Sequence, residues 1–226
     1  LLLLFSVFMI FQTTCKVWGA EKPANATQQG IDVSSHQGKI DWEQVKNSAL
    51  ADYAIIRCGY GVNQTDKDDK YWDYNSSECE RLGIPYGTYL YSGADTTAKA
   101  KSEAEHVVRL LQGKNLTYPI YYDMEADMLN QLSSTQIGNI AKTFLNTMES
   151  YGYKNVAVYS NKYLFETKLT ASVFSDYPKW IAQHSNKCTY QGSYHMWQYS
   201  TQGVIPGISE TVSYTHLRAH ETKANL

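Results

Sequence analysis

The feature that most constrains the fold is a regular exchange of two hydrophobic periods from Gly30 onward. Short β-branched or aromatic segments alternate with segments that repeat every three to four residues. GIDVSS (Gly30 to Ser35) reads as a strand, and DWEQVKNSA follows as a helix opened by Asp41. YAIIRC (Tyr53 to Cys58) is short and apolar, as a strand buried on both faces would be. A helix over Tyr71 to Leu82 stops at Gly83, and IPYGTYLYS starts a third strand. Asp95 is expected to cap the next helix, whose apolar positions are Ala100, Ala104, Val107, Val108 and Leu111, ending at Gly113. YPIYYDME reads as the fourth strand. Ser133 and Gln136 form a capping box ahead of Ile137, Ile140, Ala141, Phe144, Leu145 and Met148, and Gly152 ends that helix. NVAVYS is the fifth strand; KWIAQ (Lys179 to Gln183) and SYHMWQYS (Ser193 to Ser200) read as strands with no long helix between them.

Five βα steps followed by a strand-rich end predict an α/β fold, a modified TIM-like barrel with extra closing strands. An open doubly wound sheet is the alternative, but no G-x-G-x-x-G or Walker loop follows the first strand, which weakens a nucleotide-binding reading. The length of 226 residues and 43% hydrophobic content suffice for a core, here one domain over residues 30–211. Twenty Lys plus Arg against 22 Asp plus Glu leaves a formal charge of -2, which argues against a nucleic-acid partner.

The ends read differently. Residues 1–20 carry an apolar run from Leu1 to Phe11, too short to span a bilayer and of the size of a signal's apolar region, with cleavage expected after Gly19 or Ala20. No Met or basic residue precedes the run, so the signal reads as N-terminally incomplete; a membrane anchor is the competing reading. Residues 21–29 read as a linker. Cys15 lies in the leader, in a poor context for a lipid anchor. Cys58, Cys79 and Cys188 remain, an odd number read as free thiols, although Cys58 and Cys79 could pair. The N-x-S/T triplets at Asn25, Asn63, Asn75 and Asn115 matter only in a host that glycosylates.

In parallel barrels chemistry gathers at the C-terminal strand ends. YYDMEAD puts Asp123 and Glu125 at such an end, and strand residues i and i+2 share a side with Cα atoms about 6.5–7 Å apart. Two carboxylates that close repel, so one pKa rises while the other stays low. Glycoside hydrolysis needs that asymmetry: an acid for the leaving oxygen and an anion for the developing oxocarbenium ion. A third acid, Asp32, lies in the first strand, where burial without a role or partner would be costly. The competing readings are a solvated acid pair and a loop or capping aspartate. His36, His106, His184 and His195 make no metal set; His106 reads as a helix-surface residue and His195 as a strand residue. There is no G-x-S-x-G elbow.

Tyrosine is over-represented, at 19 residues against 6 Phe. Of Tyr60, Tyr89, Tyr91, Tyr159, Trp180, and Trp197 to Tyr199 with Gln198 between them, several fall at predicted C-terminal strand ends, where the acids are expected. Rings at strand ends can stack on sugar faces while polar groups bind hydroxyls. Singly, each ring also fits a place in the core.

Together, GIDVSSHQGKIDW, YAIIRCGYG, IPYGTYLYS, YYDMEAD, KWIAQ and WQYSTQGVIPGIS resemble the glycoside hydrolase family 25 lysozymes over residues 30–211. The resemblance implies a secreted or wall-associated N-acetylmuramidase acting on peptidoglycan glycan strands. Glu125 would be its general acid, Asp123 its nucleophile or the group orienting the substrate's acetamido, and Asp32 its first-strand acid. Neither metal nor organic cofactor is expected, nor a stable membrane partner after signal removal, and the protein is expected to be a monomer.

One departure stands out. The family's last strand carries an acid in a V-D-x-N pattern, where this chain has Val212 followed by Ser213. TVSYT could still close the sheet, but residues 212–226 look unrelated to the family and resemble translated sequencing-adapter sequence, so they are expected to lie outside the domain. Two other functions compete: a barrel that binds wall glycan without cutting it, which would predict loss of Asp123 or Glu125, and a chitinase-like hydrolase using a substrate-assisted route.

Overall fold

The computed structural model describes residues 26–218. The leader over residues 1–20, Cys15, Asn25, most of the expected linker and the final eight residues lie outside the described residues. In chain order the elements are β1 (Ala26–Val33), α1 (Trp42–Ser48), β2 (Tyr53–Tyr60), α2 (Trp72–Leu82), β3 (Tyr86–Tyr91), α3 (Thr97–Leu110) and β4 (Ile120–Asp123). They continue with α4 (Ser134–Ser150), β5 (Val156–Asn161), α5 (Lys162–Thr167), α6 (Val173–Asp176), β6 (Lys179–Ala182), β7 (Met196–Gly203) and β8 (Val212–Arg218).

The strands close into one barrel in sequence order. Neighbours from β1 to β7 pair in parallel, whereas β8 runs antiparallel to both β7 and β1. The strand that closes the barrel therefore lies past the expected boundary at Thr211. Gly30 faces Thr215, Ile31 faces Tyr214 and Asp32 faces Ser213, while on the other edge Trp197 faces His216. The β-branched and aromatic residues of VSYTHLR suit such a strand. β1 likewise begins at Ala26, inside the stretch read as a linker.

Local signals explain most helix ends. The Asp41 side chain accepts from the Gln44 amide ahead of α1, and Ser133 with Gln136 makes the capping box of α4. α3 is capped by Thr96, not Asp95, whose carboxylate pairs with Lys99 one turn on. It ends at the Leu111 cap, short of Gly113. His106 is not on the surface of α3. It is buried, with Nε2 2.7 Å from Asp68 Oδ1 and Nδ1 3.0 Å from the Gly61 carbonyl. Asn75 is buried in α2 and accepts from Trp42 Nε1. Cys58 and Cys79 are buried free thiols and Cys188 is a half-buried one.

Two apolar clusters follow from the strand alternation. Tyr53, Ile55, Tyr121, Ala157, Trp180 and Met196 fill the barrel interior. Residues of the opposite parity, such as Ile56, Leu90, Tyr122 and Val158, pack outward against Val107, Ile137, Ile140 and Phe144 of the helices. Among the described residues no helix is long and apolar enough to cross a membrane.

Candidate active site

Above the interior cluster, at the C-terminal ends of the parallel strands, opens a cleft of about 300 Å³. Asp32 from β1, Tyr89 from β3, Asp123 from β4, Tyr159 from β5, Trp180 from β6, Gln198 from β7 and Ser213 from β8 all line it, with Glu125. The barrel thus converts one inward parity on seven strands into a single polar chamber.

Glu125 lies two residues past the end of β4, yet keeps the side shared with Asp123. The intervening Met124 explains this. Its amide donates to the Tyr159 carbonyl at 2.9 Å and its carbonyl accepts from Ser160 Oγ at 2.6 Å, so the chain stays docked to β5. Met124 is buried in the outer core and Glu125 turns into the cleft.

Burial is the first influence on all three acids, and repulsion from neighbouring carboxylates adds to it for Asp32 and Asp123. Asp32 is pushed up to about 7, mainly by burial; hydrogen bonds from Gln198 and Ser213 oppose this, and the charge of Glu125 adds to it. Asp123, 3% exposed, is held well above the usual carboxylate range by burial, then by Glu125 and Asp32. Glu125 is raised by burial, and His184 pulls it back. Asp123 Oδ1 is buried without a hydrogen-bond partner among the described residues. Protons on these carboxyls belong to the set rather than to single residues.

Two features, one beside the cleft and one in it, were not read from the sequence. Arg57 is a cation in the otherwise apolar strand β2, and its Nε and Nη2 each lie 2.8 Å from Oδ2 of the fully buried Asp69 carboxylate. Nη2 also donates to Ser35 Oγ, and the guanidinium charge favours ionised Asp123. The signal available was the cost of an unpaired charge in such a strand. His36 and His184 line the cleft as well. From sequence they stand out only as possible metal ligands, and among the described residues no group of three or more His, Cys, Asp and Glu is arranged to hold a metal ion.

The aromatic set divides. Tyr89, Tyr159 and Trp180 line the cleft, and Trp180 packs its ring against both tyrosines at 6.4 and 4.5 Å between centroids. Tyr91 is half-buried and pairs with Asp123 in the β3–β4 register, near enough for the acids to influence its hydroxyl, but it is not part of the lining. Tyr60, 39% exposed, leans away under Lys67. Trp197 has the outward parity of β7: it is buried against Tyr199 and His216, and its Nε1 donates to the Gln183 carbonyl at 2.8 Å. Trp197 is not part of the lining, where it was expected; Gln198, one residue on, takes the inward position.

The chain is similar to known proteins in sequence and in fold. The family profile described as glycosyl hydrolases family 25 matches residues 31–208. The autolytic lysozyme of Clostridium acetobutylicum is 30% identical over 182 residues, covering 80% of this chain and 53% of that protein. The uncharacterized protein YegX of Escherichia coli O157:H7 is 26% identical, covering 85% and 70%. Among solved structures, the modular autolysin LytC from Streptococcus pneumoniae, in complex with a synthetic peptidoglycan ligand, superposes with a TM-score of 0.76 at 32% identity, over 84% of this chain and 46% of that one. The chain spans about half the length of LytC and of the clostridial lysozyme. With the profile match extending over most of its length, the chain belongs to glycosyl hydrolase family 25.

Proposed function

We propose that the chain is a lysozyme that hydrolyses the β-1,4 bond between N-acetylmuramic acid and N-acetylglucosamine in peptidoglycan, acting as a monomer outside the cell or at the wall. The observation that carries this reading is the convergence of Asp32, Asp123 and Glu125 on one aromatic-lined cleft at the barrel's C-terminal mouth. Glu125, the half-buried member beside His184, gives its proton to the leaving glycosidic oxygen. As that bond breaks, positive charge grows on the anomeric carbon, and the remaining carboxyl groups stabilise it. Tyr89, Tyr159 and Trp180 offer faces for the sugar rings.

Asp123 acts either as nucleophile or by orienting the substrate's acetamido group, whose oxygen then attacks the anomeric carbon. The second role is favoured by two of its properties. Burial disfavours its free anion, and the unpartnered Oδ1 could accept from an acetamido N–H. A water then completes hydrolysis. The relatives contribute to the substrate class: two carry the words lysozyme or autolysin in their names, and one was solved with a peptidoglycan ligand.

Mass analysis of fragments released from purified peptidoglycan tests the reading. New reducing ends should be N-acetylmuramic acid. Reducing N-acetylglucosamine ends would assign a different bond, and cleavage of chitin in preference to peptidoglycan would make the chain chitinase-like.

A further inference from the structure

Three hydrogen bonds meet at the side chain of Gln198, which is 5% exposed. Its Nε2 donates to Asp32 Oδ2 at 3.0 Å. Its Oε1 accepts from the Tyr159 hydroxyl at 3.0 Å, and His184 Nε2 lies 3.0 Å from the same oxygen. A carboxamide oxygen can accept twice but cannot donate. The nitrogen of Gln198 is committed to a carboxylate, so the group facing His184 is the oxygen. His184 must therefore carry a proton on Nε2.

The arrangement matters because the last torsion of a glutamine is broad and roughly two-fold. The Tyr159 hydroxyl can donate or accept, so with it alone at Oε1 only the contact with Asp32 would oppose a turn of the amide. Two donors from different elements, Tyr159 on β5 and His184 on the segment between β6 and β7, close off that rotation. Both Tyr159 and Gln198 are thereby occupied with each other, which leaves Gln198 one N–H for any sugar.

We propose that His184 is a positioning residue, which through the Gln198 amide fixes the Asp32 carboxylate in the cleft. Its kinetic consequence rests on the glycosidase reading above; the proton position and the amide's immobility do not. A donor lost at this distance from the chemistry should cost about tenfold to a hundredfold in kcat, the scale of a misplaced catalytic group.

The experiment has two arms on the full chain. In the first, 15N spectra of the imidazole should show His184 protonated on Nε2, and the His184→Ala variant should lose hydrogen-exchange protection at the Gln198 side-chain amide. A neutral ring protonated on Nδ1, or unchanged protection in the variant, would overturn the proposal whatever the substrate is. In the second, kcat should fall in His184→Ala with KM unchanged, and His184→Gln, which restores an N–H at the Nε2 position, should recover most of the loss. Wild-type kcat in the alanine variant, a change confined to KM, or no recovery with Gln would each sink it. Should the alanine variant fail to fold, the Gln variant and Tyr159→Phe carry both arms, with the tyrosine variant expected to loosen the same amide. Release of the wrong reducing ends by the wild-type protein would count against the proposed function alone.

Discussion

Asp32 on β1 and Ser213 on β8 stand directly opposite each other in the antiparallel register that closes the barrel, and the serine side chain works against the upward push of burial on the carboxyl group. Closure of the sheet and composition of the site therefore meet at one residue pair. The serine supplies a donor beside an acid that burial has pushed up to about 7. An aspartate at the same position would add a carboxylate to the cleft and remove that donor.

The resemblance to the family leads us to expect that Ser213→Asp raises the rate of wall lysis. The added like charge should also lower the melting temperature at alkaline pH, where both groups ionise, and leave it nearly unchanged near pH 5. Lysis assays and thermal melts at the two pH values check this. Equal lysis in both proteins would mean that the last-strand acid is dispensable in this barrel.

Glu125→Gln should reduce lysis by about a hundred- to ten-thousand-fold, since the amide keeps the shape but has no proton to give the leaving oxygen. The melting temperature should not fall, because burial already disfavours the Glu125 charge. Full activity in a folded Gln variant would remove Glu125 from the mechanism.

Much of this was legible because barrel strands carry strong local signals. The segments around Asp32, Asp123 and Glu125 were readable as strand ends, and the parity of i and i+2 survived past the end of β4 because Met124 stays docked on β5. Parity itself was harder to read in strands buried on both faces. In β7, Trp197 and Gln198 are equally hidden from solvent, so the sequence offered no basis for choosing which one points inward. The carboxylate partners of Arg57 and His106 lie on the segment after β2, and only the folded chain brings Asp69 and Asp68 to them. The closing strand was obscured for another reason: its residues suit β structure but lack the expected acid.

A pH dependence follows from Asp32. Its carboxyl has an ordinary value of 3.8 and is raised to about 7 in the folded state. A raised acid binds its proton more tightly when folded, so its contribution to stability is fully present below about pH 4 and is lost as pH rises through about 7. Asp32→Asn cannot ionise. The variant should match the wild type in melting temperature near pH 4 and exceed it at pH 8, with much lower activity. A gap that widens toward acid instead would show that Asp32 is stabilised as an anion.

Arg57 permits stability and electrostatics to be separated. Its guanidinium is 16% exposed and its partner Asp69 is fully buried, so Arg57→Met leaves a buried carboxylate without its cation. Breaking such a pair costs about 3–5 kcal/mol. Asp69 would still accept from the Ser35 and Tyr71 amides, which limits the damage without replacing the charge. The double variant Arg57→Met with Asp69→Asn removes both charges and should recover much of the lost stability. It should not recover the activity profile. Arg57 favours the ionised form of Asp123, so its loss raises that carboxyl further, and the pH at which the site reaches its working charge moves upward. Melting curves and pH–rate profiles of the single and double variants distinguish the two roles. A double variant that regains both stability and the wild-type pH profile would confine Arg57 to holding β2 against the Asp69 segment.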